Sequence, residues 1–259
     1  IDYVTTMVED ISERRKNEAE IRQLAFYDSL TGLPNRRHFN NRLRQALSAS
    51  ALHKRIGALF FIDLDNFKNL NDTLGHEKGD GLLTLVANRL SGCLSQSDMV
   101  ARQGGDEFVV ILEEIGNNTR EAITQCQHIG ERLLDVLCQP YFIDGFEHNT
   151  TASIGITLFD GHPEKSDELL KRADIAMYQA KAAGRNTFCF FDKEMQDKVS
   201  HRAALSADLF VGIREEQFRL FYQPQVEHSG RVIGVEALIR WQHPDRGMVS
   251  PAEFIPMAE

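Results

Sequence analysis

The sequence predicts a mixed α/β (α+β) fold whose central strand pair is antiparallel. Three observations predict it. Residues 56–62 form a short, continuous apolar run of the buried-strand kind. Two further apolar runs, 99–103 and 108–112, are separated by Gly104-Gly105-Asp106-Glu107, and paired glycines between strands signal a hairpin. Helical stretches alternate irregularly with these strands, which disfavours a doubly wound parallel sheet.

The elements follow in order. Gly32 and Pro34-Asn35 punctuate the chain, and a helix is expected from about Arg36 to Ser50. The strand at 56–62 runs into Asp63-Leu64-Asp65. Helices are expected over 66–74 and 79–94, the second with Leu82, Leu83, Val86 and Leu90 at helical spacing. His76 is expected in the loop between them, as a hydrogen-bonding group. The hairpin comes next, then an amphipathic helix over 118–138, an alternating strand over 151–159, and a helix over 166–183. A last strand covers 188–191. After Asp192 the pattern restarts, with a helix over 193–216 and strands at 218–223 and 232–239 joined by a turn at Gly230.

Composition narrows the class. The chain has 259 residues, with 42% hydrophobic and 26% charged residues, an ordinary globular balance. At roughly 100–200 residues per domain, this predicts one or two domains. No apolar run approaches the roughly 20 residues of a membrane span, and the first residues do not read as a signal peptide. The net charge of −9 argues against a nucleic-acid partner. Cys93, Cys126, Cys138 and Cys189 form no C-x-x-C pair and are expected to be buried structural thiols in a reducing cytoplasm.

Three carboxylates fall at strand ends: Asp63 after an apolar strand, and Asp106 with Glu107 beside the Gly-Gly turn. Crowded carboxylates repel and call for a cation. Mg²⁺ takes one or two carboxylates plus substrate phosphates, and two glycines let a phosphate approach the backbone. This reads as a Mg²⁺–nucleoside triphosphate site; a charged turn beside a solvated strand end is the alternative.

The wider pattern is more specific. Asp28-Ser-Leu-Thr-Gly-Leu-Pro-Asn-Arg36, Phe61-Ile-Asp-Leu-Asp-Asn-Phe-Lys68 with Asn71 and Asp80, Arg102-Gln-Gly-Gly-Asp-Glu-Phe108 and Ala180-Lys-Ala-Ala-Gly-Arg-Asn186 occur in order. Together they resemble the GGDEF family, the diguanylate cyclases, over roughly residues 26–192. The resemblance implies a cyclase-like palm fold, with a central, mainly antiparallel sheet, and condensation of two GTP to cyclic di-GMP and two pyrophosphates. It also implies a homodimer with one GTP per subunit, and two Mg²⁺ (or Mn²⁺) ions per half-site.

Carried over by motif, the metal ligands are Asp63, the Leu64 carbonyl, Asp106 and Glu107. Asp106, Lys68 and Lys181 are the catalytic residues. Asn71 and Asp80 match the guanine-binding pair, where a carboxylate can accept from the N1–H and amino group that adenine lacks as a pair. Asn66 and Phe67 offer backbone N–H groups to the phosphates, Gly104 and Gly105 make room for them, and Arg185 joins Lys68 and Lys181 in contacting them. Asp65 is expected in a supporting role, Arg102 as a brace for the hairpin, and Asp72 on the helix surface. Where the family often carries an inhibitory R-x-x-D product site, this chain has Ser95-Gln-Ser-Asp98. Ser95 cannot supply the charged fork of an arginine, so the site is degenerate although Asp98 is retained.

The flanks are expected to belong to other domains. Residues 1–25 resemble the end of a PAS sensor running into its signalling helix. Residues 193–204 read as a linker helix. Residues 205–259, with Phe221-Tyr-Gln-Pro-Gln225 and Gly234-Val-Glu236-Ala-Leu238, resemble the opening of an EAL phosphodiesterase domain. That fold is a (β/α)₈ barrel of about 200 residues or more, so this stretch is too short for phosphodiesterase activity. The missing initiator Met and these ends suggest a cytoplasmic piece of a tandem GGDEF–EAL signalling protein, which could be membrane-anchored elsewhere. A GTP-binding domain that regulates the phosphodiesterase without making product is the alternative.

Overall fold

The structure, a computed structural model, describes residues 20–258 apart from 22, 96, 163–164, 193–204 and 206–207. The expected sensor-exit segment up to residue 19 and the linker at 193–204 lie outside the described residues. The chain divides into two compact units, with the division after Asp192.

In the first unit the order is α1 (Arg36–His53), β1 (Ile56–Leu64), α2 (Phe67–Leu74), α3 (His76–Cys93), β2 (Met99–Gly104), β3 (Glu107–Gly116), α4 (Thr119–Leu137), β4 (Tyr141–Ile143), β5 (Phe146–His148), β6 (Ala152–Phe159), α5 (Ser166–Ala182) and β7 (Thr187–Phe190). Five strands form one sheet in the order β2-β3-β1-β6-β7. Every pairing in it is antiparallel except β6 with β7. β1 is central and buried along its whole length, which explains its unbroken apolar run.

The period of two divides β1 between two cores. Ala58, Phe60, Ile62 and Leu64 pack with Leu82, Leu83, Val86 and Leu133 of α3 and α4. Leu59 and Phe61 pack with Phe39, Leu43, Leu169 and Ala173 of α1 and α5. Asp63 continues this second register, so its face is the α1/α5 side. Close packing there requires Gly155 on β6. A Cβ at that position would stand 1.9 Å from the Ala173 carbonyl oxygen and 2.2 Å from the Met177 nitrogen. The missing side chain lets the α5 backbone rest on the sheet, and this sets the height of α5's last turn above β1.

Four local expectations are corrected. The second helix of the α2–α3 pair begins at His76, not at 79, because Gly75 (φ 87°, ψ 159°) makes the break in a single residue. His76 is therefore a helix-start residue rather than a loop group. The hairpin β4–β5 and the short strand Gly247–Val249 are additional, each strand being three residues long and too short to display a period. Cys138 is exposed at the end of α4, and Cys93 and Cys189 are half-buried; only Cys126 fits the buried expectation fully. Burial pushes the Cys126 thiol up to about 12.

The second unit holds an antiparallel sheet of β8 (Phe218–Val226), β9 (Val232–His243) and β10 (Gly247–Val249), followed by α6 (Pro251–Ala258). Trp241 is fully buried with Leu205, Leu209, Val249 and Phe254, and stacks on Phe218. Glu236 lies in β9 opposite Gln223 and is exposed.

Candidate active site

One row across the sheet organises the site. Gly104 of β2 pairs with Glu107 of β3, Glu107 with Asp63 of β1, Asp63 with Ser153 of β6, and Ser153 with Thr187 of β7. Asp63 sits in the middle with a relative exposure of 7%. Directly opposed residues on antiparallel strands lie about 4.5–5.5 Å apart at Cα. Asp63 and Glu107, though distant in sequence, are thereby set side by side. Gly105 (φ 53°) turns the chain so that Asp106 comes next to them on the hairpin.

The electrostatics follow from crowding. Burial pushes the Asp63 carboxyl above its ordinary value, and the Asp106 and Asp65 charges push the same way against a Lys181 hydrogen bond. Burial also raises Glu107, with Asp63, Asp174 and Asp106 adding to it. Asp174 on α5 is raised by burial as well, opposed by Lys181. Lys181 thus offsets three neighbouring carboxylates, Asp63, Glu107 and Asp174. Its Nζ lies 2.6 Å from Asp63 Oδ1. Asp174 escaped the sequence reading because it is a charged residue on an exposed position of α5, next to the buried Ala173, Ala176 and Met177, and nothing local marks it as facing the sheet end. It also lines, with Arg36, Gln103, Glu107 and Lys171, a cleft of about 280 Å³ beside the carboxylates.

The neighbouring loops are held by specific bonds. Asp65 is buried and accepts from Thr151 Oγ1 at 2.6 Å, Ser153 Oγ at 2.7 Å and the Asn186 N–H at 3.2 Å. It anchors the turn after α5, where Arg185 (φ 64°) and Asn186 (φ 47°) are both left-handed. Arg185 Nε lies 4.0 Å from the same carboxylate. Arg102 holds the hairpin: its Nε and Nη2 donate to the Gly105 carbonyl, and its Nη1 reaches Asp28. Asp28 in turn accepts from the Thr31 N–H and hydroxyl, and Asn35 caps α1. The first motif, which carried no chemistry of its own, is the brace of the third.

On the other side, Asn66 stands at φ 60° and opens α2, with Lys68 exposed on its first turn and Asp72 exposed further along. Asn71 Oδ1 is buried without a hydrogen-bond partner among the described residues, and it faces Gly79, where a Cβ would stand 1.9 Å from it. Asp80 is exposed on α3. At the degenerate product motif, Asp98 Oδ2 accepts from the Ser95 hydroxyl at 2.5 Å and the Ser95 N–H at 3.0 Å. That carboxylate closes its own turn.

Comparison with known proteins decides the family. The diguanylate cyclase GGDEF domain model matches residues 25–187, more than half of the chain, and the EAL domain model matches residues 205–259. The chain belongs to the GGDEF family. Its GGDEF domain is 37% identical to that of TpbB (YfiN) from Pseudomonas aeruginosa, with a TM-score of 0.63, covering 67% of this chain and 99% of that one. The GGDEF domain of DgcB from Caulobacter crescentus with its coiled coil, solved in complex with c-di-GMP, is 26% identical with a TM-score of 0.61, covering 70% and 93%. These are the cyclase-like palm structures that the resemblance implied. A similar curated protein is the bifunctional diguanylate cyclase/cyclic di-GMP phosphodiesterase MucR of P. aeruginosa, 42% identical over 93% of this chain and 34% of its own length. Another is the cyclic di-GMP phosphodiesterase PdeR of Escherichia coli, 38% identical over 96% and 37%. The chain spans about a third of the length of these relatives. Among the described residues, no helix of this GGDEF–EAL chain is long and apolar enough to cross a membrane.

Proposed function

We propose that residues 26–192 act as a diguanylate cyclase, between a sensor-exit segment (1–25) and a linker (193–204) that leads to the start of an EAL domain (205–259). In the reaction, a 3′-oxygen of one GTP bonds to the α-phosphorus of the other, and the bond from that phosphorus to the β-phosphate bridging oxygen breaks. Pyrophosphate leaves and the 3′-proton is lost; a second, reciprocal step closes the ring. What carries the reading is the row of Gly104, Glu107 and Asp63, with Lys181 paired to Asp63 beside Glu107 and Asp174. Such a site is short of positive charge and has glycine where a phosphate would approach.

The donor set suits a hard divalent cation. Asp63, Glu107, Asp106 and the Leu64 carbonyl are all oxygen ligands, as Mg²⁺ or Mn²⁺ prefers. Among the described residues, no three acidic, histidine or cysteine side chains are gathered into a finished metal cage. When bound, Mg²⁺ would supply charge stabilisation at the α-phosphate and ease ionisation of the attacking hydroxyl.

The chain's own residues do the rest. Asp106 orients the 3′-hydroxyl and draws its proton. Lys68, Lys181 and Arg185 neutralise the triphosphate and the departing pyrophosphate. The N–H groups of Asn66 and Phe67 bind phosphate oxygens at the start of α2. Asn71 and Asp80 select guanine, and the orphaned Asn71 Oδ1 supports that assignment because a base donor would satisfy it. Each subunit holds one GTP, so two copies must face each other, and pairing becomes the positioning step. An upstream sensor would bias that pairing. A GTP substrate places the domain in the cytoplasm.

A second reading has an observation of its own. Two similar relatives, PdeR and the P. aeruginosa protein NbdA (39% identical over 93% of this chain), are named as phosphodiesterases. Under it, the domain binds GTP and regulates the phosphodiesterase without making product. Purified protein with GTP and Mg²⁺, assayed for cyclic di-GMP and pyrophosphate, separates the two. Product that disappears in Asp106→Ala supports the cyclase. GTP binding without product supports the regulatory domain.

A further inference from the structure

Lys181 occupies one of the two carboxylate oxygens that Asp63 would offer a metal ion. Its Nζ is 2.6 Å from Asp63 Oδ1, and Asp63 is the central, most enclosed carboxylate of the row. The lysine's backbone has little freedom. Ala180 beside it is fully buried, and α5 is pressed onto β6 at Gly155. The Lys181 carbonyl accepts from the Gly184 N–H, and the turn that follows is pinned by Asp65. The side chain is different. Four methylenes carry a compact charge that can swing between partners from a fixed Cα.

From this we infer that Lys181 is a resident counter-ion, which keeps Asp63 closed to free divalent cations until a nucleotide arrives. The inference rests on the metal–nucleotide reading of the site and adds an order of events to it. An ammonium on Oδ1 and a divalent cation on the same carboxylate would stand within a few ångströms and repel, so metal and ammonium compete for Asp63. With no nucleotide the ammonium holds the Asp63 oxygen that it is paired with. A triphosphate changes both sides of the balance. It offers Lys181 a richer set of anionic oxygens, and it brings ligand oxygens for the metal. Lys181 leaves Asp63 for the phosphates as the metal takes its place.

The test uses Mn²⁺ alone as the probe, followed by electron paramagnetic resonance on the whole chain without nucleotide. Lys181→Met is expected to bind Mn²⁺ at least about tenfold more tightly than the unmodified protein, since it removes a competing charge within a few ångströms. Lys181→Arg, which keeps the charge, should stay weak. The gain should vanish in Asp63→Asn/Lys181→Met. Lys181→Gln serves the same purpose should the methionine variant fold poorly. Equal Mn²⁺ affinity with and without the lysine charge, or a gain that survives loss of Asp63, overturns the inference. The cyclase reading fails separately. An Asp63-dependent gain in a protein that makes no cyclic di-GMP sustains the counter-ion and removes the cyclase, whereas product formation without any such gain does the reverse.

Discussion

Arg102 Nη1 lies 3.0 Å from Asp28 Oδ1 while Nε and Nη2 of the same guanidinium hold the Gly105 carbonyl. One side chain therefore ties the loop before α1 to the turn that presents Asp106. Burial acts to raise the Asp28 carboxyl, but the Thr31 hydroxyl and N–H and the Arg102 guanidinium outweigh it and hold it below its ordinary value.

Asp28→Asn is expected to lower stability by about 1–2 kcal/mol, the range for a charge-assisted hydrogen bond that is partly exposed. A carboxyl depressed in the folded state contributes stability above its unfolded value of about 4, and loses it as the pH falls through the folded value. Thermal melts of the two proteins should therefore differ at pH 7 and converge toward pH 3. A gap of constant size across that range would dissociate the effect from ionisation.

Asp65→Ala leaves the buried Ser153 hydroxyl and the part-buried Thr151 hydroxyl and Asn186 N–H without their acceptor. A loss of about 2–3 kcal/mol follows from stranded donors. The turn that carries Arg185 should loosen too, so amide exchange at Arg185 and Asn186 is expected to rise more than in β3. Protection unchanged at both residues would show that the left-handed turn stands without Asp65.

Gly79→Ala puts a methyl group where Asn71 Oδ1 now lies. The amide can swing aside, so melting should shift little. GTP should bind about tenfold more weakly, the equivalent of one lost hydrogen bond of 1.4 kcal/mol. Nucleotide titration by calorimetry, with ATP as the comparison, reads this out. Unchanged GTP affinity would remove Asn71 from base recognition.

Thiol labelling at pH 8 should find Cys138 first, since it is exposed, and should miss Cys126. The Cys126 thiol is fully enclosed and pushed up to about 12 by burial, so little of it is thiolate at that pH. Mass spectrometry after a short exposure checks the order, and labelling of Cys126 before unfolding would contradict the packing of α4.

Much of this architecture was legible in the sequence for a physical reason. β1 is buried on both faces, so residues 56–62 are apolar without interruption, and the run stops at Asp63, the last position but one of the strand. The Gly-Gly pair of the hairpin announces itself because left-handed backbone favours glycine. Shorter or more solvent-facing pieces left weaker marks. β4 and β5 are three residues each and carry no period, and the start of α3 at His76 depended on the conformation of one glycine. Cys138 looked like its helical neighbours and differs only in lying at the helix end.

The sequence by itself determined the strand and helix order, the placing of Asp63, Asp106 and Glu107 at strand ends, and the motif pattern of the family. These are local properties, written in period, turn chemistry and residue type. Tertiary structure alone decided which groups share charge. Strand register put Glu107 beside Asp63, the α5–β6 contact at Gly155 brought Asp174 and Lys181 over them, and Arg102 found Asp28. Those pairings join residues far apart in the chain. Coulomb energy depends on distance in space and on the water excluded around it, and neither exists until the sheet and its helices have packed.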